Sequence, residues 1–399
     1  MKTEQPTKAR FPRMILKADS LKRIKRGHRW IFSNEIQLVE PEAVNGGVVA
    51  VVDPNGSFLG SALYSKNALI AGRVYSHRSV DFDINYIETA LHEAEERRRL
   101  LLPHRSTYRL AYGDSDGLPG IVVDRYEDVL VLQLLTVAAE LRRDLIADCL
   151  QNLFAPKAIV ERSDTSGREW EGLPEVKGVL RGTRENPFTV NVAGIKLPVD
   201  VLEGQKTGLY LDQAENWSVI RPWSKGGAVL DLFSHAGGWS LNAARGGAAN
   251  VVAVDQSAGV LEGLRNCWVE NGFTPGTLET HTADVFDYLR KETRLFEVVV
   301  CDPPAFAKNR KAVPGALRGY QDVNRLAMKR VAPQGFLVSC SCSHNVERED
   351  FLQCLRMASR DAQRDFQLLE IRSQPADHPP LLGVPETEYL KVVVLKALS

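Results

Sequence analysis

Residues 229–240, VLDLFSHAGGWS, constrain the fold of this chain more than any other stretch. The apolar run over 229–233 is typical of a buried parallel strand, and Gly237 and Gly238 lead from it into a predicted helix over 239–244. A strand, a glycine turn and a helix in this order leave backbone N–H groups at a helix N-terminus, where an anionic or polar ligand can bind. The stretch therefore predicts one unit of a doubly wound α/β domain.

Acidic residues follow the next predicted strands in the same way. Asp255 ends an apolar run over 250–254, and a carboxylate at that place can accept hydrogen bonds from both hydroxyls of a ribose. Asp284 ends a third predicted strand, where it can accept from an exocyclic amine, and Asp302 follows a fourth strand over 298–301. The G-x-G-x-x-G fingerprint of a dinucleotide site is absent. The sequence therefore predicts a nucleoside-type cofactor without a diphosphate.

Acidic residues at four successive strand ends, followed by D-P-P-x-F at 302–306, resemble a class I S-adenosylmethionine-dependent methyltransferase. The resemblance implies an α/β Rossmann-like domain with S-adenosyl-L-methionine as its cofactor. The residues that it implies for cofactor binding are Gln213, Asp231, Ser234, Gly237, Asp255 and Asp284. The alternative is an ordinary doubly wound domain in which the acidic residues only cap helices, since each such motif is weak alone.

The length of 399 residues suggests two or three domains. With 44% hydrophobic and 25% charged residues, the composition is that of a soluble globular protein. No apolar run approaches the ~20 residues that span a bilayer, and the basic first 13 residues lack the apolar segment of a secretory signal. The six scattered cysteines show no disulfide pattern, so we expect a reducing cytoplasm and no membrane partner.

The formal net charge of zero hides an asymmetry along the chain. Residues 1–79 contain 13 Lys and Arg against 6 Asp and Glu, a net of +7, and the remainder carries −7. A basic module attached to a neutral or acidic enzyme suggests a polyanionic partner. The alternative is a charged face that is merely solvated.

This basic module reads as short strands separated by turn signals over 14–79, which favours a small all-β barrel. Residues 22–32 resemble the opening of a PUA domain, an RNA-binding barrel, and Trp30 and Phe32 are expected in its core. The cations that carry the RNA-binding interpretation are Lys22, Arg23, Lys25, Arg26 and Arg29. The predicted boundaries are 1–80 for the PUA-like domain, 81–185 for a central α+β linker domain, and 186–399 for the methyltransferase domain.

The linker domain is predicted to contain a helix over 84–102 capped by Asp83, a hairpin around the glycine-rich loop 113–120, and a second helix over 140–153. In that loop, Asp114 and Asp116 could suggest a metal site, but carboxylates that bond the backbone of their own turn are the expected reading. Asp212 is the predicted N-cap of a helix over 213–220.

Cys342 follows a fifth predicted strand, so it should face the same crevice as Asp302. A thiol there has a purpose if the methyl acceptor is C5 of a pyrimidine, because a thiolate that adds to C6 makes C5 nucleophilic. Asp302 near N3 would offset the charge that builds on the ring. The base must leave its stack to reach the pocket, and Phe306 is a candidate surface on which it stacks.

Four motifs in combination resemble the ribosomal RNA large subunit methyltransferase I family: S-C-S-C-S, D-P-P-x-F, Q-K-T-G-x-Y-L-D-Q and the run over 113–126. The likeness covers roughly 14–396 and implies a PUA-linked enzyme that makes 5-methylcytosine in 23S ribosomal RNA. It implies Cys342 as the nucleophile and Cys340 as the variable position. Ala305 stands where related enzymes have a second cysteine, and Ala214 where the family tends to have an arginine that follows Asp-Gln.

The implied partner is ribosomal RNA, either naked or in an assembling large subunit, and a homodimer is kept as an option because the sequence does not determine the oligomeric state. Two other functions remain open: an N-methyltransferase acting on adenine or guanine, and a non-catalytic RNA-binding assembly factor. Cys340, Cys342 and His344 alternate onto one face as zinc ligands could. With no fourth ligand nearby in sequence, no metal is expected.

Overall fold

The computed structural model describes residues 11–307 and 309–398. Residues 1–10, which belong to the predicted basic module, lie outside the described residues. The chain packs into two compact units, and it crosses between them several times. Of the described residues, the first unit comprises 11–190, 199–209 and 376–387, and the second comprises 191–198, 210–307, 309–375 and 388–398.

The first unit begins with the predicted β-rich module. Its six strands are β1 (Arg13–Leu16), β2 (Trp30–Phe32), β3 (Ile36–Val39), β4 (Val48–Val52), β5 (Phe58–Tyr64) and β6 (Ile70–Ser76), with the short helix α1 (Leu21–Lys25) between the first two. The strand order is β2-β6-β5-β4-β1-β3, and only β1 and β4 pair in parallel. Apolar residues alternate into one core, which includes Met14, Ile31 and Val49.

A second sheet in this unit carries the predicted α+β pattern. Its strands are β7 (Thr107–Tyr112), β8 (Ile121–Tyr126), β9 (Val129–Leu134), β10 (Ala158–Ser163) and β11 (Val176–Gly182), in the order β11-β10-β9-β8-β7. Its helices are α2 (Ile84–Leu101), α3 (Val137–Glu140) and α4 (Arg143–Phe154). Asp83 caps α2 by accepting from the backbone N–H of Tyr86, as predicted. The second helix begins later than predicted, because α3 is a separate turn.

Asp116 is buried, and it makes an ion pair in addition to the predicted hydrogen bond to the backbone of its own turn. Its Oδ2 accepts from the backbone N–H of Tyr112, which confirms the turn interaction. Its two oxygens also accept a bidentate pair from the buried Arg98 at 2.7 Å each. No cluster of three or more potential metal ligands occurs within residues 11–307 and 309–398.

The two sheets of the first unit share apolar contacts. Leu63 and Tyr75 lie on strands of the first sheet but belong to the core of the second, together with Ile87 and Leu130. Ser65 on the first module also donates a 2.6 Å hydrogen bond to Glu171. The first two predicted domains therefore pack as one compact unit, and the three-domain division stays a prediction.

The second unit is an α/β domain. Its main sheet contains the strands β14 (Ala228–Leu232), β15 (Asn250–Asp255), β16 (Leu278–Thr282), β17 (Phe296–Cys301), β18 (Val331–Ser341), β19 (Phe366–Arg372) and β20 (Lys391–Ala397). The strands β12 (Phe188–Val192) and β13 (Ile195–Val199) form a separate two-stranded sheet, whose residues are divided between the two units. The helices are α5 (Arg221–Ser224), α6 (Gly238–Arg245), α7 (Ala258–Glu270), α8 (Val285–Lys291), α9 (Val313–Met328) and α10 (Arg348–Ala362).

The seven-stranded sheet has the order β16-β15-β14-β17-β18-β20-β19, in which β20 alone runs antiparallel to both of its neighbours. Strand order reverses between β14 and β17, and ligands of open α/β sheets bind at the C-terminal strand ends beside such a reversal. The predicted Rossmann-like class is confirmed.

The prediction of one helix over 213–220 is wrong. Two short 3-10 helices occupy this stretch, Leu211–Gln213 and Asn216–Ile220. Asp212 lies inside the first of them rather than before it, and its Oδ2 accepts a 2.6 Å hydrogen bond from the hydroxyl of Tyr389. Separately, no helix among the described residues is long and apolar enough to cross a bilayer.

Candidate active site

The loop after β14 turns sharply before α6 begins. Phe233, His235 and Gly237 have φ angles of +61°, +46° and +81°. A Cβ on Gly237 would lie 2.2 Å from a methyl carbon of Leu264, and one on Gly238 would lie 2.4 Å from the ring of Trp217. The two glycines are therefore required by close packing as well as by the turn that the sequence predicts.

Asp231 is fully buried on β14. Its Oδ2 accepts from both the backbone N–H and the hydroxyl of Ser240, at 3.0 and 2.6 Å. Its Oδ1 and the nearby Ser234 Oγ are buried and have no hydrogen-bond partner among the described residues. Burial raises the pKa of Asp231 to about 7, although the Ser240 hydrogen bond lowers it. An unpaired buried acceptor fits a cationic partner, such as the amino group of S-adenosylmethionine.

Asp255 ends β15, where its two oxygens accept from the backbone N–H groups of His235 and Ser257, at 3.0 and 2.9 Å. These bonds fix the orientation of a side chain that is still partly exposed. A carboxylate offers about four acceptor positions, so two remain for the adjacent hydroxyls of a ribose. The donor set at this strand end fits the nucleoside part of the predicted cofactor.

Asp284 caps α8 by accepting from the backbone N–H of Asp287 at 3.1 Å. Its other oxygen accepts from Gln256 Nε2 at 2.8 Å. Gln256 directly follows Asp255, so this bond joins the ends of two neighbouring strands. Asp284 has a structural function as a cap, and its role toward an adenine amine stays a prediction.

Asp302 follows β17 and is held by two side chains. Its Oδ2 accepts from Gln213 Nε2 at 3.0 Å and from Trp239 Nε1 at 2.9 Å. Gln213 is buried, and its carbonyl oxygen accepts from Asn216 Nδ2. Gln213, predicted to bind the cofactor, therefore orients the predicted catalytic carboxylate in this structure.

The six cysteines all lie within the described ranges, and Cys342 is the one that is not buried. It comes directly after β18, while Cys340 lies inside that strand and is completely buried. Burial raises the pKa of the Cys340 thiol well above its usual range, so that thiol is neutral at pH 7. Cys301 pairs with Ser339 in the sheet, which places the chain after β17 beside the end of β18.

Ser343 anchors the residue next to Cys342. Its hydroxyl hydrogen-bonds the hydroxyl of Tyr320 on α9 at 2.9 Å and accepts from the backbone N–H of Ala307 at 3.3 Å. Ala307 follows Phe306, whose partly exposed ring lies 4.7 Å from that of Tyr320. The residue that directly follows the D-P-P-x-F motif is therefore hydrogen-bonded to the last residue of the S-C-S-C-S motif.

His344, the third residue considered as a zinc ligand, stacks on the ring of Tyr389 with their centroids 4.6 Å apart. Its side chain is exposed, whereas Cys340 is completely buried. The alternation that suggested one shared face does not continue beyond Ser341, where β18 ends.

The structure divides the five predicted RNA-binding cations of the first unit into two groups. Lys22, Lys25 and Arg26 are exposed. Arg23 donates to the carbonyl oxygen of Trp30 at 3.3 Å, and Arg29 donates to that of Tyr75 at 3.1 Å. Lys22, Lys25 and Arg26 are thus the ones presented to solvent, and the other two stabilise the module internally.

Comparisons with known proteins agree with this geometry. A model of the PUA-like domain family matches residues 14–77, and a model of the S-adenosylmethionine-dependent methyltransferases matches residues 177–391. The second match spans the α/β domain with Asp231, Asp255, Asp302 and Cys342. Fold and site together define an S-adenosylmethionine-dependent methyltransferase that carries a PUA-like domain.

Curated relatives show to which family of these methyltransferases the chain belongs. A protein of Shewanella denitrificans named ribosomal RNA large subunit methyltransferase I is 39% identical over 394 residues, covering 96% of this chain and 99% of its own length. A protein of Aeromonas salmonicida with the same name is 38% identical, covering 94% and 97%. The chain therefore belongs to the ribosomal RNA large subunit methyltransferase I family.

Two solved structures share the fold over nearly the whole chain. One is a putative methyltransferase complexed with SAH, with a TM-score of 0.84, 22% identity, and coverage of 96% of this chain and 99% of that one. The other is a putative SAM-dependent methyltransferase from Streptococcus mutans, with a TM-score of 0.82, the same identity and the same coverage. At this identity the likeness concerns the fold alone.

Sequence reasoning missed several residues that build the site. Trp239 and Ser240 stood within the opening stretch, yet nothing in a linear pattern pairs them with Asp302 and Asp231. Ser343 is the last residue of the S-C-S-C-S motif, which does not indicate its bonds to Tyr320 and Ala307. Lys391 carried a usable signal, because it directly precedes the apolar run VVVL over 392–395.

Proposed function

We propose that this methyltransferase forms 5-methylcytosine in 23S ribosomal RNA through a covalent bond between Cys342 and C6 of the target base. The observation that carries the proposal is the accessible thiol of Cys342, which directly follows β18 at the C-terminal edge of the sheet, on the strand that pairs with β17, the strand that Asp302 follows. An enzyme that methylates an exocyclic nitrogen has no use for such a thiol.

Ribosomal RNA is the proposed substrate because the relatives carry that substrate in their names. The PUA-like module presents Lys22, Lys25 and Arg26 to solvent, and such cations bind phosphates without reading sequence. We propose that this module binds the RNA and that the α/β domain performs the chemistry. A cytoplasmic location and a homodimer remain predictions.

Asp231, with Ser234 beside it, is proposed to hold the amino group of the cofactor, and Asp255 its ribose hydroxyls. When bound, S-adenosylmethionine supplies the electrophilic methyl group that C5 accepts. The unpaired Oδ1 of Asp231 supports this assignment, since a buried acceptor without a partner is costly unless a ligand satisfies it.

The chemistry of the chain itself begins with the Cys342 thiolate, which adds to C6 so that an S–C6 bond forms and C5 gains enamine character. Asp302, oriented by Gln213 and Trp239, acts in its protonated form: it donates its proton to ring N3 as the S–C6 bond forms and takes it back when that bond breaks, so that the negative charge of the adduct is neutralised. After C5 has been methylated, its proton is lost to solvent. The S–C6 bond then breaks, the thiolate leaves, and the ring regains its aromaticity.

The two cysteines of the S-C-S-C-S motif provide a matched test. We expect Cys342→Ala to abolish methyl transfer while binding of both S-adenosylmethionine and RNA is retained, because the variant removes only the nucleophile. Cys340→Ala should keep most of the activity, since that thiol is buried and protonated. The measurement is transfer of a radiolabelled methyl group to ribosomal RNA, with calorimetry for cofactor binding.

RNA carrying 5-fluorocytosine gives an independent measurement. Fluorine at C5 replaces the proton whose loss frees the thiol, so wild-type protein should accumulate as a covalent adduct that Cys342→Ala cannot form. Methyl transfer by Cys342→Ala, or the absence of any adduct with wild-type protein, would reject the C5 mechanism. An N-methyltransferase would then take its place.

A further inference from the structure

Lys391 is a buried lysine to which the reaction described above gives no role. It is the first residue of β20, and it is 5% exposed. Its Nζ donates to three backbone carbonyl oxygens, those of Ser343 at 2.7 Å, Val346 at 2.9 Å and Tyr389 at 2.7 Å. A lysine has three N–H donors only as an ammonium group, because the neutral amine has two. The three acceptors therefore fit the charged form.

Two of these carbonyls belong to the turn that follows Cys342. Lys391 pairs with Ser341 across the antiparallel strands β18 and β20, and Ser341 directly precedes Cys342. Ser343 directly follows it. The hydrogen bonds of the ammonium group thus hold residues 343–346 against β20. The charge of Lys391 and the Cys342 thiol also interact electrostatically.

The charges around Lys391 are mixed. Burial lowers the pKa of Lys391 to about 8, and Cys342, Glu347 and Glu388 raise it while Arg348 opposes them. At that pKa most molecules hold the ammonium form at pH 7, in agreement with the three carbonyl acceptors.

Other ionisable groups act on Cys342 as well. Tyr210, Tyr320 and Cys340 all interact with it and are neutral at pH 7, since burial raises the pKa of each. Asp302, which follows the neighbouring strand β17, is a further ionisable group at this edge of the sheet. Lys391 supplies positive charge of the sign that a thiolate needs.

We propose that Lys391 is a positioning residue that holds the turn next to Cys342 and whose ammonium charge stabilises the Cys342 thiolate. The inference deepens the C5 mechanism and rests on it, because only that reaction requires a thiolate here. Lys391 has no contact with the base in this proposal and acts entirely through Cys342.

The test is the pH dependence of alkylation of Cys342 by iodoacetamide in the full-length protein, followed by mass spectrometry of the Cys342 peptide. We expect Lys391→Gln to slow alkylation at pH 7 about tenfold and to move the midpoint upward, because only the thiolate reacts. Lys391→Arg keeps the charge and should restore a profile close to that of the wild type. The five buried cysteines serve as internal controls. An unchanged midpoint in a folded Lys391→Gln protein would overturn the proposal.

A reciprocal measurement decides the question if Lys391→Gln fails to fold. A charge that stabilises the thiolate must itself be stabilised by it to the same extent. The titration midpoint of the Lys391 amine, followed by NMR of lysine-labelled protein, should therefore fall in Cys342→Ala; equal midpoints would contradict the inference. Neither measurement uses RNA, so methylation by Cys342→Ala would reject the C5 mechanism alone.

Discussion

The burial of Asp231, which we propose serves cofactor binding, has a cost in stability. Burial raises its pKa from the usual value near 4 to about 7, so the folded protein holds a proton that the unfolded chain has already released between these pH values. The unfolded state binds fewer protons there, and stability must fall as the pH rises from about 4 to about 7. A bound ammonium group would remove this penalty by pairing with the carboxylate.

We therefore expect Asp231→Asn to be relatively more stable at high pH. The difference in Tm, variant minus wild type, should grow by about 2–4 °C between pH 5 and pH 8 for each kcal/mol of penalty removed. Affinity for S-adenosylmethionine should fall at least about tenfold, the scale of a lost charge-assisted partner. Thermal melts over that pH range and calorimetry measure the two effects.

Asp255→Asn is the matched control for the melts, since that carboxylate is partly exposed and bonded by two backbone N–H groups. Its Tm difference at each pH is the reference with which that of Asp231→Asn is compared. A difference for Asp231→Asn that is equal at pH 5 and pH 8 would mean that Asp231 is ionised in the folded protein without ligand.

The N-terminus of α6 depends on a contact that its sequence does not reveal. Gly238 opens this helix against the ring of Trp217, and a Cβ there would lie 2.4 Å from a ring carbon. Trp217 neighbours Asn216, which bonds the side chain that orients Asp302. A displacement of Trp217 is therefore expected to shift the 3-10 segment Asn216–Ile220 and, through Gln213, the orientation of Asp302.

Gly238→Ala should lower stability by about 1–3 kcal/mol, the range for overpacking a buried contact. It should also weaken cofactor binding, because the displaced segment supports the loop after β14. Gly263→Ala on α7 is the matched control, as a Cβ there meets no atom within 4 Å, and alanine favours a helix by up to about 1 kcal/mol over glycine. Denaturant melts compare the free energies of unfolding of the two variants. Equal values would show that Trp217 can move aside for the added methyl group without cost.

The charge asymmetry of the chain is best tested without cutting it. Removing residues 1–79 would take Leu63 and Tyr75 out of a core that they share with the second sheet, so lost RNA binding could simply report misfolding. Reversing exposed charges leaves both sheets of the first unit intact. The suitable cations are Lys22, Lys25 and Arg26, which are exposed.

The triple variant Lys22→Glu, Lys25→Glu, Arg26→Glu should bind ribosomal RNA more weakly and with a smaller dependence on salt. The plot of log K against log salt has a negative slope, and loss of three phosphate contacts should make this slope shallower by about 2–3. The control reverses three exposed lysines of the α/β domain, Lys225, Lys291 and Lys329, and alters net charge equally. Equal slopes for the two triple variants would mean that the net charge of +7 on residues 1–79 is only a solvated surface and does not bind RNA.

Local patterns were sufficient wherever neighbours in sequence decide the structure. The apolar runs that became β14, β15 and β17 are buried on both faces and need no partner to be recognised. Asp83 caps α2 through a donor three residues away. Asp255 and Asp302 lie at strand ends because a parallel strand followed by a polar residue brings that residue to the C-terminal edge.

Tertiary structure decided what depends on partners far along the chain. Gln213 meets Asp302 across 89 residues, and Lys391 meets Ser343 across 48. Asp212 bonds Tyr389 instead of capping a helix. No periodicity or motif encodes such pairs, since they form only when sheet order brings separate strand ends together. The S-C-S-C-S resemblance already implied Cys342 rather than Cys340, but it gave no physical reason; the reason comes from the folded sheet, which buries Cys340 completely and leaves Cys342 accessible.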